Sequence, residues 1–233
     1  MSLLSSAGVE FLLRWLHFLA GITWIGLLYY FNFVQGPFFA EADAATKSAA
    51  TQKLVPRALW WFRWGAMLTF LSGAAIIGMR MGPGVAATPW GVAIMTGALF
   101  GTLMFLNVWL VIWPNQKVVI ASAVAAATGG QANPVAAAAG RRAFLASRSN
   151  VVFSIPMLFF MGSARHMTPG FLDGTNDVLY WLLALAVILA VQLNAMVGVA
   201  PGRQKYLSTV SGTIHMGLGL TLVLYLLGVV VNS

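Results

Sequence analysis

The sequence predicts an all-α, polytopic bundle of membrane-spanning helices, and three observations predict it. Sixty per cent of the residues are hydrophobic and 8% are charged, against roughly 25% charged in an ordinary soluble domain. The apolar residues fall in continuous runs without the dyad alternation of barrel strands, and only helices and closed barrels satisfy every backbone group in lipid. Finally, a crossing helix needs about 20 mainly apolar residues, and residues 9–34, 54–79, 89–113, 149–166, 177–199 and 207–231 each provide such a run. With no internal repeat, they are expected to form one integral membrane domain over residues 1–233.

The first run is expected to stay in the mature protein. It is too long for a signal peptide, lacks an A-x-A-like cleavage site and begins at Glu10 with no basic cluster ahead of it. An even number of spans puts both termini on one side. The loops then divide into a set holding Lys47, Lys53, Arg57, Lys117, Arg141, Arg142, Arg148, Arg203 and Lys205 and a set holding only Arg80 and Arg165. The positive-inside bias places the first set in the cytoplasm and both termini in the periplasm of a bacterial inner membrane. The formal charge of +8 is therefore read as topogenic. No basic stripe with interleaved aromatics points to nucleic acid.

Local chemistry punctuates the spans. Thr88-Pro89 starts the third with a cap and an N1 proline, Pro156 lies inside the fourth and is expected to kink it, and Pro201-Gly202 closes the fifth. Residues 115–127 and 135–147 are Ala-rich helix formers flanking Thr128-Gly129-Gly130-Gln131-Ala132-Asn133-Pro134. The third and fourth helices are thus expected to run on past the membrane and turn back as a hairpin, with Asn133 as N-cap.

Ionisable residues inside these runs are the functional suspects, because lipid tolerates them only when they face a bundle interior, a cavity or a cofactor. On the first helix His17, Gly21, Trp24 and Leu28 share one face, with Arg14 one turn outward. His215 is bracketed by Gly212, Gly217 and Gly219 in the last span. There are no cysteines, which excludes disulfides, thiolate metal sites, iron–sulfur clusters and the covalent attachment of c-type haem; any haem is held through His or Met. Haem b with His17 and His215 as axial ligands is the expectation, against a reading in which each histidine simply hydrogen-bonds a neighbouring helix. Arg14 either pairs with a propionate or snorkels to the interface. Arg63, deep in Leu59-Trp60-Trp61-Phe62-Arg63-Trp64, either snorkels or forms an anion site for a propionate or an anionic substrate, with Trp60 or Trp64 as cation–π partner. Asn107 is an intramembrane amide expected to bond across helices, and Gly97 and Gly101 are packing glycines. Arg165 and His166 at the end of the fourth span, with Asn107, are candidates for a second site that gates access or receives a soluble electron-transfer partner at that rim, against a reading in which the two are a solvated helix terminus.

Read together, Arg14-Trp15-Leu16-His17 with Trp24-Ile25-Gly26, Leu59 through Met67, Asn107-Val108-Trp109-Leu110-Val111-Ile112-Trp113-Pro114-Asn115-Gln116-Lys117, and Ser147-Arg148-Ser149-Asn150 through Ser154-Ile155-Pro156-Met157 resemble the membrane portion of the PuuD-type urate hydroxylases, the urate oxidase N-terminal family. The resemblance covers most of residues 10–166 and is weaker over the last two helices. A looser likeness, resting on the first helix, links the chain to HemJ-type protoporphyrinogen oxidases and CopD-type copper-resistance membrane proteins. The resemblance implies a membrane oxidoreductase passing electrons to cytochrome c, and the HemJ-like relatives imply that His17 ligates haem b. The urate enzymes carry a C-terminal cytochrome c domain, whereas the sequence to Ser233 contains no cysteine, so electrons are expected to leave to a separate protein. Two alternatives belong to other classes. One is an accessory subunit of a larger respiratory or photosynthetic membrane complex. The other is a metal-handling protein using His17, His166 and Met side chains, although no Met and His cluster at ligand spacing appears in the sequence.

Overall fold

The computed structural model describes residues 2–167, 177–196 and 201–232, and among them six helices are long and apolar enough to cross a membrane: Ser6–Glu41, Val55–Arg80, Pro89–Ala127, Ala136–His166, Val178–Met196 and Val210–Val231. The chain is a multi-pass helical membrane protein. Helices also form between and beyond the apolar runs because the connecting residues carry their own caps.

Helix α1 (Ser6–Tyr29) starts where the Ser5 hydroxyl accepts from the Gly8 amide. It passes through a π-helical segment, Tyr30–Gln35, into α2 (Gly36–Glu41). Asp43 then caps α3 (Ala44–Lys53), and α4 (Val55–Arg80) carries the second span. The Thr88 hydroxyl accepts from the Gly91 amide at 3.0 Å, so Thr88-Pro89 opens α5 (Pro89–Leu106) as expected. A second π segment, Asn107–Ile112, leads into α6 (Trp113–Ala127). Gly129 takes φ +82, which lets the Gly130 amide bond back to the Ala125 carbonyl at 2.9 Å and terminate α6.

Asn133 accepts from the Val135 amide at 3.0 Å, and α7 runs from Ala136 to His166 straight through Pro156. The fourth helix therefore begins well before residue 149. The Ala-rich segment ahead of it is helix, as expected, but Arg148, counted with the loop charges, is buried inside α7 at 5% exposed. Helix α8 (Asp177–Met196) carries the fifth span, and its expected end at residue 199 lies outside the described residues. A 3-10 turn, Pro201–Leu207, precedes α9 (Val210–Asn232).

The chain divides into two compact units. The first comprises Met1–Ile76 and Phe105–Arg148. Here α1 crosses α4 closely: a Cβ on Gly65 would lie 3.2 Å from the Trp24 amide nitrogen and 3.3 Å from the Ala20 carbonyl oxygen. The α6–α7 hairpin is pinned by the Ser122 hydroxyl, which accepts from the Asn133 amide at 2.9 Å, and by Val119 against Gly140. The second unit comprises Ile77–Met104 and Ser149–Ser233. Its glycines do what small residues do between membrane helices: a Cβ on Gly97 would lie 2.7 Å from Met161 Cγ and 3.2 Å from the Met157 carbonyl, and one on Gly217 would lie 2.9 Å from the Val152 carbonyl.

Candidate functional site

His17 lies on the inward stripe of α1 with Ala20, Trp24 and Leu28, all buried. Its Nδ1 is 3.1 Å from Ser72 Oγ on α4. The Ser72 hydroxyl hydrogen is already committed to the Leu68 carbonyl at 2.6 Å, with the Thr69 carbonyl at 3.1 Å. The serine oxygen therefore accepts, and His17 donates through Nδ1–H. In the neutral ring this leaves Nε2 as a bare lone pair, the form that ligates a metal. Gly73 makes the arrangement sterically possible, since a Cβ there would stand 3.0 Å from His17 Cε1. A Cβ on Gly21 would lie 3.8 Å from Thr69 Cγ2, so this glycine also faces α4.

His215 has the same tautomer by a different route. Its Nδ1 is 2.8 Å from the Ser211 carbonyl, which only accepts, so the neutral ring again exposes Nε2. The ring is on the exposed side of α9. Among the described residues no group of three or more His, Cys, Asp or Glu comes together to hold a metal ion. A single imidazole with one ring nitrogen tied and the other free could supply one protein ligand to a metal whose remaining ligands come from a bound cofactor.

Arg14 behaves differently from the histidines. Its guanidinium pairs with Glu10 one turn earlier, at 2.8 Å through Nε and 2.7 Å through Nη2, and the arginine side chain is 44% exposed. An i, i+4 ion pair near a helix end accounts for it without a cofactor. Arg165 and His166 occupy the exposed last turn of α7. Asn107 is buried and opens the π segment of the third span.

Arg63 is half-buried, and its cation–π partners are not the neighbours on its own helix. Its guanidinium carbon lies 3.9 Å from the centre of the Trp113 ring and 5.9 Å from that of Trp109. Trp60, Trp61 and Trp64 form an outward aromatic cluster instead, with Trp60 edge-on to Trp61 at 4.9 Å and all three exposed. Arg63 stands at the edge of the buried stripe of Leu59, Phe62 and Ala66 and turns toward the third span, whereas Trp60 and Trp64 lie further round toward the exposed side.

Several residues of this region carry signals that reading the chain by runs did not use. Asn32 is buried, and its amide donates to the Leu28 carbonyl and to Ser147 Oγ, both at 2.8 Å. Phe31 meets Phe62 edge-on at 5.4 Å. The π segment of α1 is thereby gripped by α4 beside Arg63 and by α7 beside Arg148. Arg148 rests over Phe144 at 5.2 Å. Two polar residues, Asn32 and Gln35, interrupting an apolar run were the available sequence signal. π segments of this kind recur at functional sites.

A family model described as urate oxidase N-terminal matches residues 86–223. The match begins after the first two spans, covers the fifth and runs into the last helix. No curated protein and no solved structure matches.

Proposed function

From the premise that this chain belongs to the urate oxidase N-terminal family, we propose that it is a membrane oxidoreductase related to urate hydroxylases, with a b-type haem as its redox group. The observation that carries the haem is His17, whose Nδ1–H is tied to Ser72 and whose ring lies against Gly73. These contacts hold the imidazole in one tautomer, with Nε2 as the atom that would ligate the iron; His215, fixed in the same tautomer by Ser211, is a second imidazole of this form and belongs to the other compact unit. A haem b held this way would supply one-electron transfer, and a cytochrome c is the proposed acceptor on the strength of the family resemblance. Urate is the proposed donor, on the family's description alone. The lysine and arginine bias places Asp43 and the α6–α7 turn on the cytoplasmic side of a bacterial inner membrane, with both termini opposite.

The reading is tested by a reduced-minus-oxidised visible spectrum of the purified protein. A b-type signal is expected, and it is expected to disappear in His17→Ala. A colourless wild-type preparation overturns the haem, and turnover of urate with a cytochrome c acceptor tests the reaction. The exposed His215 face of α9 favours one second reading, an accessory subunit docked in a larger redox complex. A colourless isolated chain that co-purifies with a coloured partner is the outcome that would select it.

A further inference from the structure

Six buried side-chain polar atoms among the described residues have no hydrogen-bond partner: Trp24 Nε1, Gln35 Oε1, Arg63 Nε, Trp109 Nε1, and Arg148 Nε and Nη1. All belong to the first unit, and five of the six are N–H donors. Gln35 Oε1 apart, what this region lacks is acceptors. Nor is a carboxylate paired with either arginine among the described residues: Glu10 pairs with Arg14, Asp43 is engaged with Thr46 and Glu41 is exposed.

A buried lysine or histidine would escape this situation by losing its proton. An arginine does not, because its guanidinium stays protonated under all ordinary conditions. A buried, uncompensated guanidinium costs several kcal/mol, and Arg148 is 5% exposed. Water would supply acceptors but not charge. The missing component is an anion.

Its shape follows from what already covers the arginines. Trp113 lies 3.9 Å from the Arg63 guanidinium carbon, and Phe144 lies 5.2 Å from that of Arg148. Each cation has an aromatic ring on one side, so its unused valence is the in-plane N–H edge. That edge is recognised by a planar, delocalised oxyanion lying in the guanidinium plane, not by a ring stacked on it. The two indole N–H groups are further donors of the same polarity. The contacts Phe31–Phe62 and Asn32–Ser147 tie the residues next to Arg63 and next to Arg148 to adjacent positions of one π segment.

We propose that Arg63 and Arg148, assisted by the Trp24 and Trp109 indoles, form a binding site for a planar oxyanion, a carboxylate or the anion of an oxygenated heterocycle. Only the choice of urate as a probe rests on the function proposed above.

The experiment uses the full chain in nanodiscs of zwitterionic lipid, with equilibrium dialysis against radiolabelled urate and, separately, benzoate, and with haem content measured per chain. Saturable binding is expected in the wild type. Arg148→Gln and Arg63→Gln are each expected to weaken it about tenfold or more, Arg148→Lys to recover part of it, and the exposed Arg57→Gln to leave it unchanged. If benzoate binds and urate does not, the site stands and urate as its occupant fails. If neither free probe binds but haem per chain falls in Arg148→Gln and Arg63→Gln and not in Arg57→Gln, the oxyanion is a cofactor carboxylate held by the same two arginines. The proposal is overturned if neither probe binding nor haem content responds in Arg63→Gln and Arg148→Lys protein that remains monodisperse.

Discussion

The two units treat buried polarity in opposite ways. In the second, the Asn150 amide donates to the Met104 carbonyl at 3.0 Å, Tyr180 meets Thr96 at 3.1 Å, the Gln204 amide donates to the Asn194 carbonyl at 2.9 Å and the Asn194 amide donates to the Tyr206 hydroxyl at 3.1 Å. Polar side chains there join helices to one another. In the first unit, two arginines and two tryptophans are buried with donors unanswered. A polar group whose partner lies within the fold is glue; one whose partner is missing is a place for something else. Both units are membrane helices of similar composition, so the difference lies in pairing and not in polarity.

The comparison breaks most readily at Arg148. If its charge is uncompensated in the ligand-free chain, Arg148→Met is expected to leave stability unchanged or raise it, by about 1–4 kcal/mol at most, in denaturant titrations without added anion. A loss of more than about 1 kcal/mol would mean that the fold itself supplies the partner and that the units do not differ. The smaller test lies in the second unit. The Thr96 hydroxyl donates to the Val92 carbonyl at 2.8 Å, so Tyr180 is the donor between them, and Tyr180→Phe is expected to cost about 0.5–1.5 kcal/mol by the same titration. No cost there would remove the structural role assigned to that pair.

The smallest effect is at the surface, where neither burial nor a ligand intervenes. Hydrogen bonds from the Thr46 hydroxyl, and then from the Thr46 amide, hold the Asp43 carboxyl below its ordinary range. A depressed folded-state value means that the cap is fully present above the unfolded-state value and lost as pH falls through the folded one. Amide exchange at Thr46 is therefore expected to accelerate on acidification below the usual carboxylate range. In Asp43→Asn, which keeps a capping oxygen, that acceleration should vanish; if it persists, the carboxylate is not what the cap depends on.

Much of the fold was legible because hydropathy and capping are local. The apolar runs gave six spans, Thr88-Pro89 and Asn133 gave starts, and Thr128-Gly129-Gly130 gave a stop. Gly97 and Gly101 were legible as packing residues, and His17 was legible as facing inward from its i, i+3, i+4 neighbours. Arg14 shows the limit from the other side. Its partner Glu10 stood four residues away in the sequence, yet the helical ion pair the two form was not read from that spacing.

What the sequence by itself determined is which segments enter the membrane and which face of the first helix turns inward. Both depend on neighbours within a few residues along the chain. Tertiary structure alone decided that Arg148 is buried, that Arg63 stacks on Trp113 and not on Trp60 or Trp64, that Ser72 sets the His17 tautomer, and that among the described residues the unpaired donors gather in one unit. Each of these is a relation between helices far apart in sequence. Whether a donor has an acceptor depends on what other elements bring within about 3 Å of it, and no local pattern of residues encodes that.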